Sequence, residues 1–184
     1  MNLFWHRRDL RIEDNAGLYQ ALKDSDQVQS IFIFDQNILD ELENPEDPRV
    51  TFIHRQVQNL KQTYQIYGGD LDVQYGKPKE VITKLIKKYS PKRIYTNRDY
   101  EGYALDRDAE IAKLCQCQAV TFMTYKDQVI FEKDEILKKD GLPYTVFTPY
   151  KRRWLEKLDT RMSCLLYTSP SPRDATLSRM PSSA

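Results

Sequence analysis

The stretch Leu3–Asn15, LFWHRRDLRIEDN, sets Arg7, Arg8, Asp9, Arg11, Glu13 and Asp14 within eight positions, directly behind a short apolar run. Two kinds of chemistry suit such a set. One is a charge-laced turn in water, the usual fate of a charge run. The other is fixed, bidentate pairing of guanidinium with carboxylate at an edge that partly excludes water. Arginine rather than lysine at every basic position suits that second use. On residue types alone the two stand level: a solvated turn, or an edge that docks this domain against another. Asp14-Asn15 also offers a cap for a helix that follows.

Other chemistries lack their residues here. A pyrophosphate cradle needs glycines that let the backbone approach the anion at a helix N-terminus, and the loop RRDLRIEDN has none. Neither a dinucleotide fingerprint nor a P-loop is present at this turn. The chain has three cysteines and two histidines, His6 and His54. Cys115 and Cys117 form a C-x-C pair at the end of an expected helix, but no second pair supplies further ligands, so they read as structural. No metal ligand and no catalytic residue is assigned.

The elements that must position the charged loop follow from periodicity. Short runs rich in β-branched and aromatic residues at 2–6, 28–34, 71–76, 93–97 and 119–125 predict strands. Helices are predicted near 15–23, 48–67, 78–89 and 103–116. Asp47-Pro48 is a cap followed by proline at the first helical position, Lys77-Pro78 repeats the device, and Gly68-Gly69 ends the second helix. Strands alternating with helices imply right-handed crossovers. The expected fold is therefore α/β, a doubly wound, five-stranded, mostly parallel sheet with helices on both faces. Ligands of such sheets sit beyond the carboxyl ends of the strands where strand order reverses. That puts the loops beginning near Arg7, Asp35, Gly76 and Arg98 on one edge.

A chain of 184 residues holds one sizeable domain. Its 40% hydrophobic and 30% charged residues describe a soluble globular protein, without a run long enough to span a bilayer. Met1 leads straight into a strand, so the cytosol is the expected compartment, or the nucleus in a eukaryote. Residues 163–184 carry Arg173, Arg179 and Asp174, which leaves the body before them formally neutral. Binding nucleic acid mainly by phosphate neutralisation needs a basic excess that this body lacks, apart from a local patch at Lys151-Arg152-Arg153.

LFWHRRDLRIEDNAGL resembles the opening of the photolyase/cryptochrome family in Phe4, Trp5, the run Arg7-Arg8-Asp9-Leu10-Arg11, Asp14-Asn15 and Leu18. IFIFDQNIL (31–39), RVTFIH (49–54), YTNRDYEGYALDRD (95–108) and YTVFTPYKRRW (144–154) resemble further landmarks of that family, in order, over about residues 1–160. The resemblance implies an N-terminal α/β domain followed, in the complete protein, by a larger helical domain that holds FAD and receives damaged DNA. It implies light-driven electron transfer to a pyrimidine dimer, or signalling in cryptochromes. The N-terminal domain commonly carries an antenna chromophore.

By the same resemblance, Asp35, Asn37, Asp99, Glu101 and Arg107 line the antenna crevice, and Arg7, Arg8, Asp9, Arg11 and Asp14 lie where the domains dock. Folate-binding members place asparagine and glutamate where this chain has Tyr103 and Ala104. A deazaflavin-type antenna, or none, is thus expected ahead of methenyltetrahydrofolate, with FAD only in the complete protein. The bland alternative for the same side chains is helix capping by Asp99 and a surface pair of Arg107 with Asp108. Tyr144, Thr148, Tyr150 and Trp154 resemble the family's exit from the α/β domain, and packing that segment against the sheet is their expected role.

The expected organisation is a core over 1–126, an irregular exit segment over 127–160 leading to a missing FAD domain, and a tail over 161–184. The tail reads CLLYTSPSPRDATLSRMPSSA, resembles translated adapter or vector sequence, and is expected to be disordered and non-homologous. The leading expectation is a truncated antenna domain, inactive in repair alone, that reaches damaged DNA only through the missing domain. Two others compete: a stand-alone chromophore-binding or regulatory module, and an unrelated nucleotide-binding α/β domain.

Overall fold

The computed structural model describes residues 1–44 and 47–165, with side chains through Asp159. In chain order the elements are β1 (Asn2–His6), α1 (Ala16–Lys23), β2 (Val28–Asp35), α2 (Gln36–Leu39), α3 (Pro48–Ile66), β3 (Leu71–Gly76), α4 (Pro78–Tyr89), β4 (Arg93–Asn97), α5 (Gly102–Cys117) and β5 (Thr121–Tyr125). A 3-10 turn (Lys133–Glu135) and α6 (Phe147–Leu165) follow. The chain divides into two compact units, the first Met1–Ile130 and the second beginning at Phe131.

The first unit is built on a five-stranded sheet in the order β3-β2-β1-β4-β5. Every neighbouring pair is parallel. β1 is central and buried along its whole length, as expected of a strand covered on both faces. Its side chains alternate between two cores. Leu3 and Trp5 join Ile31, Ile33 and Ile94 beneath Val81, Ile82 and Leu85 of α4 and Ile111 and Cys115 of α5. Phe4 faces the other way, toward Leu18 and Ala21 of α1, while Phe32 packs with Val57 and Leu60 of α3.

Local chemistry sets the ends of these elements. Asp47 accepts from the Arg49 N–H and Pro48 opens α3; Gly68 closes it with a φ of +76°. Asn15, rather than Asp14, caps α1 by accepting from the Leu18 N–H, while Asp14 takes a left-handed φ of +49°. The fifth strand starts at Thr121, two residues later than its apolar run predicts. Ala119 is left-handed at +56°, and the Val120 N–H returns to the Cys115 carbonyl, so the end of α5 consumes those residues.

Beyond the sheet, the expected irregular exit segment is corrected: it contains α6, a helix of 19 residues. Phe147, Tyr150, Trp154 and Leu158 recur at helical spacing, a period outweighed in the sequence by the aromatic bulk of the segment. The expected boundary at residue 161 falls inside this helix, and the expected disorder from residue 166 onward lies outside the described residues. Within the second unit Phe131 meets Trp154 edge to face at 5.5 Å, and Tyr144 meets Tyr150 at 6.1 Å.

Candidate functional site at the carboxyl edge of the sheet

Strand order reverses around β1, whose two neighbours are β2 and β4, so the loops after β1 and β4 face each other at the switch point. Asp9 is the hub of the first loop. Its carboxylate accepts from the Arg7 N–H at 2.8 Å, from Asn15 Nδ2 at 3.0 Å and from Asn97 Nδ2 at 2.7 Å. Asn97, the last residue of β4, also donates to Asn15 Oδ1 at 2.9 Å and accepts from the Gly17 N–H at 2.8 Å. His6 closes the network below. Its Nδ1 lies 2.9 Å from the Asp9 carbonyl, which can only accept, so Nδ1 donates there and Nε2 accepts from the Tyr64 hydroxyl at 2.7 Å. Burial, opposed by Asp9, lowers the His6 pKa and keeps the ring neutral, and burial pushes the Tyr64 phenol up to about 12.

The three arginines of the loop have three different fates. Arg7 is turned inward, its side chain only 6% exposed, with Nη1 on Asp108 Oδ1 at 2.6 Å and Nη2 on the Asn97 carbonyl. Burial pulls its guanidinium pKa down, and Asp108 pulls it back up. Arg8 is 59% exposed and reaches Asp99 at 3.2 Å and Glu101 at 2.5 Å; its hydrogen bond to Glu101 raises its pKa. Arg11 ties the Asp14 carbonyl to Asp127 Oδ2 at 2.6 and 2.8 Å, while Asp127 Oδ1 accepts from the Ala16 N–H. The loop is thus neither a bare turn nor a free row of charges. Arg7 and Asp9 are spent inside the unit, and Arg8, Arg11 and Asp14 remain at its surface.

A second group lies beyond β2. Asp35 caps α2 through the Asn37 N–H and accepts from the Tyr103 hydroxyl at 2.6 Å, and Tyr103 in turn accepts from Asn37 Nδ2 at 3.0 Å. Burial and the Asp35 carboxylate both raise the Tyr103 pKa. Arg107 stands behind, with Nη1 3.7 Å from Asp35 Oδ2 and Nε 3.4 Å from Asp108 Oδ1. Its guanidinium carbon sits 5.1 Å from the Trp5 ring centre and 5.6 Å from that of Tyr103. Arg7 also approaches Trp5, at 5.3 Å, so one buried indole carries two cations held in place by Asp35 and Asp108.

The structure therefore brings the five antenna candidates into two groups, Asp35-Asn37-Arg107 and Asp99-Glu101, with Arg8 joining the latter pair. Asp99 accepts from the Tyr100 N–H at 2.8 Å, and the Arg107–Asp108 pair is part-buried rather than on the open surface. The space at the switch point itself is a cavity of about 70 Å³ between Arg7, Arg8, Asp9, Arg98, Asp99 and Asp127, large enough for water and too small for a chromophore. A larger groove of about 830 Å³ runs between α4 and α5, with Asn37, Tyr103 and Arg107 at its wall. Sequence reasoning missed Asn97 and Asp127, and gave Asp108 only a surface pairing with Arg107, not its ion pair with Arg7. Asn97 had the one legible signal, a polar residue ending an apolar strand at the reversal of strand order.

The DNA photolyase family model matches residues 2–172. The chain belongs to the DNA photolyase family. The match runs past residue 160, where the sequence landmarks stop. A deoxyribodipyrimidine photo-lyase of Synechococcus is 35% identical over 152 residues, which cover 83% of this chain and 31% of that protein. Among solved structures, a class III photolyase of Agrobacterium tumefaciens superposes with a TM-score of 0.71 at 22% identity, over 80% of this chain and 30% of the other, and shows the shared fold. A photolyase of Sulfolobus tokodaii, solved with two FAD molecules, gives a TM-score of 0.66 at 28% identity, covering 82% and 33%. The chain spans about a third of the length of these relatives. No helix among the described residues is long and apolar enough to cross a membrane.

Proposed function

We propose that this chain is the N-terminal α/β part of a light-driven, FAD-dependent photolyase or cryptochrome, and that repair of pyrimidine dimers belongs to the complete protein. The observation that carries this reading is the unbroken family match from β1 through residue 172, at about one third of the relatives' length. FAD, once bound by the larger part, would supply the electron-transfer chemistry. The work of the residues described here is to position. Asp9, Asn15 and Asn97 fix the first loop, and Arg8, Arg11 and Asp14 present charge on its outer side for docking.

Asp35, Asn37, Asp99, Glu101 and Arg107 are the proposed antenna contacts. A deazaflavin-type antenna is preferred over methenyltetrahydrofolate, because Tyr103 and Ala104 replace the asparagine and glutamate of the folate-binding pattern. Support for a binding role comes from Arg107, a buried cation whose carboxylate partners stand at 3.4 and 3.7 Å, so an acidic or polar group of a chromophore has donors left to meet.

The test is one long sequencing read of the locus and transcript past the codons of Ala184, followed by expression of whatever frame it defines. Light-dependent loss of cyclobutane dimers, with FAD absorbance, is the expected result. A confirmed stop after Ala184 with no repair would turn the reading to a stand-alone chromophore module, for which visible absorbance co-purifying with the 184-residue chain is the measurement.

A further inference from the structure

Two arginines of the first unit are buried at a cost that their polar contacts do not fully offset. The Arg107 side chain is 9% exposed; its Nη2 has no hydrogen-bond partner, Nε has one long bond at 3.4 Å, and Asp35 stands 3.7 Å from Nη1. Arg7 is 6% exposed, holds Asp108 and the Asn97 carbonyl, and leaves Nε unmet. A guanidinium does not shed its proton in a protein, so both stay charged, and the charge of Arg107 bears unfavourably on that of Arg7. Hydrogen bonding and ion pairing therefore leave part of this arrangement unexplained.

What the two cations share is a ring. The Trp5 centre lies 5.3 Å from the guanidinium carbon of Arg7 and 5.1 Å from that of Arg107. Trp5 is 2% exposed and belongs to the core cluster of Leu3, Ile31, Ile33, Val81 and Ile82, so little water reaches it to screen those charges. A cation within about 6 Å of an indole centre is attracted by the electrons of the ring. Removing one electron from the indole turns each attraction into repulsion, and an apolar surround enlarges the change. Asp35 and Asp108 offset part of this field, yet by pairing with the guanidiniums they also keep both from swinging away.

We propose that Arg7 and Arg107 bar Trp5 from one-electron oxidation, so that oxidising equivalents, chemical or photochemical, do not enter the core of the α/β unit through its indole. The two arginines are thus an electrostatic guard on a buried aromatic side chain. This guard needs neither a bound chromophore nor a flavin, and it stands or falls apart from the proposed function.

The experiment uses the 184-residue chain carrying Trp154→Phe, which leaves Trp5 the sole tryptophan. The probe is hexachloroiridate(IV), a one-electron oxidant reduced to hexachloroiridate(III). Two equivalents take two electrons from the indole, water adds one oxygen to the ring, and two protons pass to solvent. Loss of Trp5 is followed by its emission after the oxidant is removed and by the mass of its peptide, while acrylamide quenching measures access to the ring separately. Arg107→Gln and Arg107→Lys both keep a hydrogen-bond donor for Asp35 and Asp108 and differ in charge. Arg107→Gln is expected to lose Trp5 at least about tenfold faster than the parent at unchanged acrylamide quenching, and Arg107→Lys to stay within about threefold of the parent. Should Arg107→Gln fail to fold, Arg7→Gln removes the other cation and is expected to act in the same direction; an unchanged rate there counts against the guard. Equal rates in the parent and Arg107→Gln, an Arg107→Lys rate equal to that of Arg107→Gln, or a gain that merely follows greater acrylamide quenching would overturn the proposal.

Discussion

Asn97 meets Asp9, Asn15 and the Gly17 N–H at once, joining the loop after β1, the cap of α1 and the end of β4. Truncation would leave three buried polar groups without their partner. Asn97→Ala is therefore expected to lower stability by about 2–4 kcal/mol, read by urea denaturation; a loss below about 1 kcal/mol would mean the loop is held elsewhere. His6 adds a pH dependence. Burial lowers its pKa below the ordinary 6.5, so the unfolded chain takes up a proton where the folded chain does not. The stability it contributes is complete above about 6.5 and is lost as pH falls toward the lowered folded value. In His6→Gln the acid limb of the stability curve should lose that slope, and an unchanged limb would assign it to other groups. Of these residues the sequence disclosed the loop charges well and their partners poorly, because Asp108, Asn97 and Asp127 lie about a hundred positions away and reach the loop only through the crossovers.

At the scale of elements, α1 crosses β4 so closely that Gly17 has no room for a side chain. A Cβ there would stand 2.7 Å from Asn97 Oδ1 and 2.9 Å from Phe4. Gly17→Ala gains helix propensity in isolation, yet overpacking outweighs it, and a net loss of about 1–3 kcal/mol is expected. A stabilised variant in thermal denaturation would show that α1 can lift from the sheet without cost. Strands and long helices were legible because burial on both faces and amphipathic periods leave direct marks, and because Asp47-Pro48 and Pro78 punctuate the chain. The short α2 and α6 were not. The former is only four residues, held by the Asp35 cap, and in the latter the helical spacing of Phe147, Tyr150, Trp154 and Leu158 was outweighed by the aromatic bulk of the segment.

At the scale of the whole molecule, the outward charges of the first loop distinguish a chain that stands alone from one that continues. Arg8 is more than half exposed, and its pairs with Asp99 and Glu101 are solvent-screened. Arg8→Ala is expected to change the stability of the 184-residue chain by no more than about 0.5 kcal/mol. In a protein that continues into a second domain the same change should lower the melting temperature by a larger amount, through weakened docking. Equal losses in both contexts would contradict a docking role.

The sequence by itself determined the alternation of strands and helices, the parallel sheet that such alternation enforces, the carboxyl-edge location of the charged loop, and the family, whose landmarks sit in local stretches. Those are properties of neighbours in the chain. Only the tertiary structure decided which arginine is turned inward and which are exposed, that the Asp9 carboxylate is bonded within the unit, and that the ample space lies between α4 and α5 rather than at the switch point. These outcomes depend on pairings such as Arg7 with Asp108 and Tyr103 with Asp35. Electrostatic partners are chosen by proximity after folding, and local sequence carries no record of them.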